Sequence, residues 1–132
     1  MDRGDGSRPD GMKVFPFKRG RCLVWDCTCA DTFAETHLNR SAVEAGAAAT
    51  GAEERKRRKY AALAEVHQFE PIAVETMGVY GGSTGVILRA IGRRLIEATG
   101  EAREATWFCQ NLALAVQRGN ASSILSAGRE RF

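Results

Sequence analysis

The run Leu23-Val24-Trp25-Asp26-Cys27-Thr28-Cys29 decides how this chain of 132 residues folds. Its aliphatic, aromatic and small residues predict a central strand over residues 22–29 that is covered by helices on both faces. Alternation along the strand places Asp26 on the same face as Val24 and Thr28. Because an isolated carboxylate is costly to bury, Asp26 needs a cation or hydrogen-bond donors beside it.

The remaining elements follow from hydrophobic periodicity and turn residues. A strand over residues 12–17, in which Pro16 indicates an edge or a bulge, pairs with the central strand through a basic turn at 18–21. Next come a helix from about 42 to 66, capped by Ser41 and Glu44, and a strand over 71–77. A further helix is capped by Ser83 or Thr84 and carries the apolar stripe Ile87, Leu88, Ile91 and Leu95. The last helix begins at about 101, carries the stripe Phe108, Leu112 and Val116, and is interrupted or ended by Gly119-Asn120. This order predicts an α/β domain with a small mixed β-sheet flanked by helices.

Size and charge narrow the class of protein. A hydrophobic content of 44% suits a single domain over residues 8–132, preceded by a polar, disordered tail at 1–7. The net charge of +3 is modest, but Arg55-Lys56-Arg57-Arg58-Lys59 concentrates five bases in one run. No stretch approaches the roughly 18 apolar residues of a membrane span. We therefore expect an intracellular protein without a membrane partner, and the basic run resembles a nuclear-import patch, which favours the nucleus.

Two aspartates are the candidate site. If the first two strands pair across the turn, Asp10 and Asp26 approach the same end of the hairpin, although counting back from the turn places Asp26 opposite Lys13 and leaves the acids offset. Two carboxylates with a backbone carbonyl suit Mg²⁺ or Mn²⁺, which keeps water for phosphodiester hydrolysis. The alternative is that Asp10 caps a turn and Asp26 pairs with an arginine.

The long helix supplies candidate cations. At about 100° per residue, Lys56 and Lys59 lie on its apolar side, Arg57 and Arg58 point to solvent and Arg55 lies at the margin. A lysine that faces the sheet needs a carboxylate or a phosphate to offset the cost of burying its ammonium group. The alternative is that its aliphatic stem packs on the protein and its ammonium group reaches solvent. A further acid in an apolar strand, Glu75, is expected to face solvent or a helix end.

An ordered series of short motifs resembles a known family. Arg8-Pro9-Asp10, residues 23–28, residues 55–60 and residues 71–78 are similar to the restriction-like endonuclease domain, a PD-(D/E)xK fold, at the C-terminus of site-specific non-LTR retrotransposon reverse transcriptase polyproteins. The resemblance covers about residues 8–125. It implies a metal-dependent endonuclease that nicks target DNA as part of a larger polyprotein with a reverse transcriptase.

The resemblance also implies roles for particular residues. Asp10, Asp26 and the backbone carbonyl of Cys27 would hold Mg²⁺ or Mn²⁺, and Lys56 or Lys59 would be the catalytic lysine. The residues implied to contact nucleic acid are Arg8, Arg55, Arg57, Arg58 and Tyr60.

The resemblance is incomplete in two respects. Thr28 stands where the wider superfamily keeps a lysine, and the superfamily's first helix would precede residue 1, which fits a fragment or a decayed copy. Three alternatives stay open: a non-catalytic nucleic-acid-binding remnant of the same fold, a nucleotide-binding domain that uses the glycine-rich loop at 78–85, and an inert fragment.

Overall fold

The computed structural model describes residues 8–31 and 44–129. Its strands are β1 (Gly11–Lys18), β2 (Arg21–Ala30) and β3 (Gln68–Glu75), and its helices are α1 (Ala47–Lys59), α2 (Ala61–Ala64), α3 (Gly82–Thr99) and α4 (Glu104–Arg129). The sheet order is β1-β2-β3, with β2 antiparallel to β1 and parallel to β3. The predicted class, α/β with a small mixed sheet flanked by helices, is confirmed. The predicted tail at 1–7 and the Ser41 cap lie outside the described residues.

β2 is the centre of the sheet, and helices cover both of its faces. On one face Val24 packs with Tyr60 and Phe69, and Ala30 packs with the alanines of α1. On the other face Leu23 packs with Phe17 and with Ile87 of α3. The unbroken apolar run of this strand predicts burial of both faces, but on the second face Cys27 and Cys29 are exposed, so that face is buried only near the start of the strand.

The pairing of β1 with β2 is irregular. The paired Cα positions are Gly11–Trp25, Met12–Val24, Pro16–Cys22 and Lys18–Arg21. From Met12 to Lys18 the first strand advances by six residues, whereas its partner advances by three from Arg21 to Val24, so β1 accommodates three extra residues on the two sides of Pro16. Extra residues of this kind are β-bulges, which the proline predicts because it cannot donate to a ladder.

These irregularities correct the predicted register. Counting back from the turn places Lys13 opposite Asp26, and that prediction is wrong. The observed pair of Gly11 with Trp25 brings the preceding residue, Asp10, level with Asp26. The bulged strand therefore removes the offset between the two aspartates.

The start of the long helix differs from the prediction. Helix α1 begins at Ala47 rather than at 42, and Gly46 lies at its N-cap with a φ of 84°. Instead of a local capping box, the carboxylate of Glu75 on β3 accepts hydrogen bonds from the amides of Ala48 and Ala49 at 3.0 and 3.3 Å. Glu44 precedes the helix, so a cap supplied by tertiary structure has replaced the predicted local one.

The two later helices confirm their stripes and correct their ends. In α3, Ile87 and Leu88 are buried, but Gly81 is the N-cap in place of Ser83 or Thr84. Helix α4 begins at Glu104 and continues through Gly119-Asn120 to Arg129, so the predicted interruption is wrong. The side-chain amide of Asn120 donates to the Thr76 carbonyl at 2.7 Å, which gives this weak helix former a tertiary role inside α4. Within the described ranges, each helix is too short or too polar to cross a membrane.

Candidate functional site

Asp10 and Asp26 converge at one end of the β1–β2 pair. The Oδ2 atom of Asp10 accepts a hydrogen bond of 2.6 Å from the backbone amide of Cys27, the residue that follows Asp26. Asp10 is exposed, whereas Asp26 has only 4% of its surface exposed. The site therefore combines one carboxylate that solvent reaches with one that lies in the protein interior.

Lys56 on α1 is the cation that the buried aspartate needs. Its Nζ atom lies 2.6 Å from Oδ2 of Asp26, and the exposed fractions of the two side chains are 26% and 6%. The hydrogen bond to Asp26 raises the pKa of Lys56, and the negative charges of Asp26 and Asp10 add to this rise against the opposing effect of burial. Lys56 is therefore a stable ammonium at neutral pH, and Asp26 pairs with a lysine rather than with the arginine of the alternative interpretation.

The second candidate lysine and the tyrosine beside it are placed differently. The Nζ atom of Lys59 lies 5.3 Å from the centroid of the Tyr60 ring, a cation–π distance. Tyr60 itself is only 2% exposed and packs at 5.0 Å on the ring of Phe69. The predicted contact of Tyr60 with nucleic acid is therefore wrong, because the aromatic ring is part of the core. Lys56 is the lysine that α1 brings to the aspartates.

The arginines of the basic run lie on the solvent side of α1, as the helical period predicts. Arg55 and Arg58 are exposed, and Arg8 is exposed just before Asp10. Arg57 is 45% exposed and lies 3.6 Å from the carboxylate of Glu70 on β3. The cations are thus divided between one lysine inside the site and several arginines on the surface around it.

Cys27 contributes its backbone to the site rather than its thiol. Burial raises the pKa of the thiol, and the negative charges of Asp10 and Asp26 raise it further. The thiol therefore stays protonated at neutral pH, which makes it a poor nucleophile and a poor metal ligand. Its backbone amide, by contrast, orients Asp10.

Sequence reasoning missed a further buried acid, Glu53 on α1, which is 3% exposed. Its carboxylate accepts hydrogen bonds from the amides of Ser83 and Thr84 at 3.2 and 2.8 Å, and from the Thr84 hydroxyl at 2.6 Å. A Cβ atom on Gly81 would lie 2.1 Å from this carboxylate, so the close approach requires glycine there. No local signal marks Glu53, because it stands in a charged helical segment that is typical of a solvated face.

The glycine-rich loop before α3 is consequently not a phosphate cradle. The first amides of a helix bind phosphate only when they are available to it, and Glu53 already accepts from two of them. A phosphate at this position would meet a buried carboxylate. This arrangement disfavours the nucleotide-binding alternative.

Comparison with protein-family models, with curated proteins and with solved structures finds no match for this chain. Across residues 8–31 and 44–129 there is also no cluster of three or more His, Cys, Asp or Glu side chains arranged to hold a metal ion. Function must therefore be inferred from the two aspartates, the lysine and the elements that carry them.

Proposed function

We propose that this domain is a metal-dependent endonuclease that nicks DNA by phosphodiester hydrolysis, with Asp10 and Asp26 as its metal ligands. The observation that carries the proposal is that Asp10 lies beside Asp26 and Cys27 in the middle of β2: its carboxylate accepts a hydrogen bond from the Cys27 amide, and the Lys56 ammonium lies 2.6 Å from Asp26. The resemblance to retrotransposon endonuclease domains supports the same function. A reverse transcriptase in the same polyprotein and a nuclear location are proposed from that resemblance and from the basic run.

The donor set fits a hard divalent cation. Carboxylate oxygens are the protein ligands that Mg²⁺ and Mn²⁺ prefer, and Mg²⁺ binds through one or two carboxylates while it keeps several waters. The Cys27 carbonyl would be the third ligand, because the N–H and C=O of one strand residue point to the same side and this N–H points to Asp10. When bound, the metal would activate a water and offset charge on the cleaved phosphodiester.

Lys56 would stabilise the phosphate rather than abstract a proton. Its pKa is raised, so it holds its proton through the neutral range and is unsuited to act as a general base. With its Nζ atom beside Asp26, it would place a positive charge next to the reacting phosphate, as electrostatic catalysis requires. In this chain it would replace the superfamily lysine that is absent at Thr28.

The surrounding arginines would hold the DNA backbone. Arg8, Arg55 and Arg58 are exposed and lie on the segments that carry the site, so their guanidinium groups are available to phosphates. Contacts of this kind depend on ionic strength, and binding should weaken as salt rises. Arg57 would contribute less, because Glu70 already lies 3.6 Å from it.

A plasmid-nicking assay in Mg²⁺ or Mn²⁺ tests the proposal. We expect Asp10→Asn and Asp26→Asn to lower the nicking rate by about 10³-fold, the scale at which an essential charged group is lost from an active site. Glu54→Gln is the matched control, because Glu54 is an exposed acid on the same helix as Lys56. Equal nicking by all four proteins, or nicking that survives EDTA, would refute the assignment.

A non-catalytic nucleic-acid-binding module of the same fold is the second candidate, and one observation favours it. The Lys56 ammonium already balances the charge of Asp26, so the buried acid is paired without a metal. A binding module would retain DNA in EDTA, release it as salt increases and fail to nick in any divalent metal. Asp26→Asn would then leave DNA affinity unchanged.

A further inference from the structure

Helix α4 carries large apolar side chains on the surface that faces away from the rest of the domain. Trp107, Leu114 and Leu125 have exposed fractions of 60%, 53% and 67%, and no residue of this 26-residue helix is buried. At about 100° per residue these three side chains lie within roughly 20° of one line along the helix. We call this line, Trp107-Leu114-Leu125, the outer stripe.

The opposite side of α4 already has a partner within the described chain. Leu112 and Val116 are half-buried and line a cavity with β2 and β3, and Asn120 donates to the Thr76 carbonyl. Near the start of the helix, a Cβ atom built on Gly92 of α3 would lie 3.0 Å from the Cβ atom of Ala105. The helix is therefore attached by its inner side, and the outer stripe is directed outwards.

We propose that the outer stripe binds the outer stripe of a second copy of this chain, with the two α4 helices antiparallel. Val116 is level with the middle of the stripe, and Trp107 and Leu125 each stand nine residues from it. Leu114 and Arg118 each stand two residues from the same point. A twofold axis at Val116 therefore places Trp107 against Leu125 of the second copy and Leu114 against the aliphatic stem of Arg118, with its guanidinium in solvent.

The charges at the two ends of α4 favour the antiparallel direction and a second copy as the partner. Glu104 and Arg129 are the first and last residues of the helix, and both lie about 40° to 60° to the same side of the outer stripe. Antiparallel pairing brings Glu104 of one copy to Arg129 of the other at both ends of the interface. Parallel pairing would form neither of these opposite-charge contacts and would align the helix dipoles unfavourably.

The interface should be small. A helix of 26 residues is about 39 Å long, and three large apolar residues per copy fall at the low end of stable interfaces. We therefore expect a dimer with a Kd of about 1 to 100 μM. This inference is independent of the proposed nuclease activity, since none of its residues belongs to the Asp10–Asp26 site.

Sedimentation equilibrium of the full chain, at concentrations on both sides of that range, tests the inference. We expect a reversible monomer–dimer equilibrium that Leu114→Gln and Leu125→Gln weaken at least about tenfold, a loss of about 1.4 kcal/mol. Val86→Gln is the control, because Val86 is 58% exposed but lies on α3, outside the stripe. A chain that stays monomeric throughout, or a dimer that the two leucine variants leave intact, would overturn the inference.

A charge exchange tests the direction of pairing without depending on how well each variant folds. Glu104→Lys alone and Arg129→Glu alone each create two like-charge contacts in an antiparallel homodimer, so both should dimerise more weakly than the wild type. A mixture of the two variants has opposite charges at both contacts, and we expect heterodimers to form with close to wild-type affinity. If mixing restores nothing, the antiparallel pairing is wrong.

Discussion

Among residues 8–31 and 44–129, three acids are buried on α1 or beside it, and their partners divide them into two kinds. Glu53 and Glu75 are 3% and 1% exposed, and each accepts hydrogen bonds from backbone amides in the first turn of a helix. Asp26 is 4% exposed, yet it pairs with the side-chain ammonium of Lys56. Burial alone therefore does not separate the two structural acids from the proposed metal ligand.

The difference between the partners explains why only one kind of acid can act on a ligand. A helix amide is fixed by the backbone, and removing its acceptor leaves a buried donor unsatisfied. A lysine side chain is flexible, and Lys56 keeps 26% of its surface exposed beside the exposed Asp10. Under the proposed function, the Asp26 carboxylate would exchange its partner for a metal or share Lys56 with a phosphate, whereas Glu53 and Glu75 are needed as helix caps.

Replacing a structural acid should produce the largest loss of stability. We expect Glu53→Ala to lower the free energy of unfolding by about 3 kcal/mol, because three hydrogen bonds to a carboxylate are lost and two helix amides are left buried without an acceptor. Urea denaturation measures the change, and Glu97→Ala, at an exposed acid of α3, should change it by less than about 0.5 kcal/mol. A similar loss in both variants would mean that Glu53 does not hold α3 in place.

The sequence allowed the second strand, its face toward α1 and the order of the elements to be predicted, because each depends on local periodicity. The helix ends were predicted less well, since Glu75 and Glu53 cap α1 and α3 from distant positions in the chain. A pattern of neighbouring residues cannot predict a capping residue that is distant in the sequence and is brought to the helix by the tertiary fold.

The site was predictable in its residue types but not in its geometry. Asp26 stood out as an acid in an apolar strand, and the helical period placed both Lys56 and Lys59 toward the sheet. Asp10 lies opposite Asp26 only because β1 contains three extra residues. Pro16 indicates a bulge in that strand but does not give its size. The choice of Lys56 over Lys59 likewise required the distance to Asp26.

Removing either partner of the Lys56–Asp26 pair should give the next largest loss of stability, and the loss should be larger when the lysine is removed. We expect Lys56→Met to lower the free energy of unfolding by about 2 kcal/mol, because it leaves a buried carboxylate without its cation, at a cost reduced by the partial exposure of the pair. Asp26→Asn should cost about 1 kcal/mol, since Lys56 can then turn to solvent.

A double-mutant cycle checks this interpretation. The Lys56→Met and Asp26→Asn changes should together cost less than the sum of their separate effects, with a coupling of about 1 kcal/mol measured by urea denaturation. Strictly additive losses would show that the two groups do not interact in solution, and the contrast between Asp26 and the helix-capping acids would then lose its basis.

The pH dependence of the pair gives the smallest effect and the most specific one. Because the pKa of Lys56 is raised in the folded protein, the pair contributes its full stability below the unfolded pKa of 10.5 and loses it as the pH rises through the folded value. The difference in unfolding free energy between wild type and Lys56→Met should therefore be constant from about pH 7 to pH 9 and shrink by up to about 1 kcal/mol above 10.5. Repeating the comparison with Asp26→Asn in both proteins should abolish the change, because the hydrogen bond that Lys56 donates to Asp26 is the main cause of the raised pKa. A difference that shrank near neutral pH instead would indicate a depressed lysine pKa, and Lys56 would then be a candidate general base rather than a fixed positive charge.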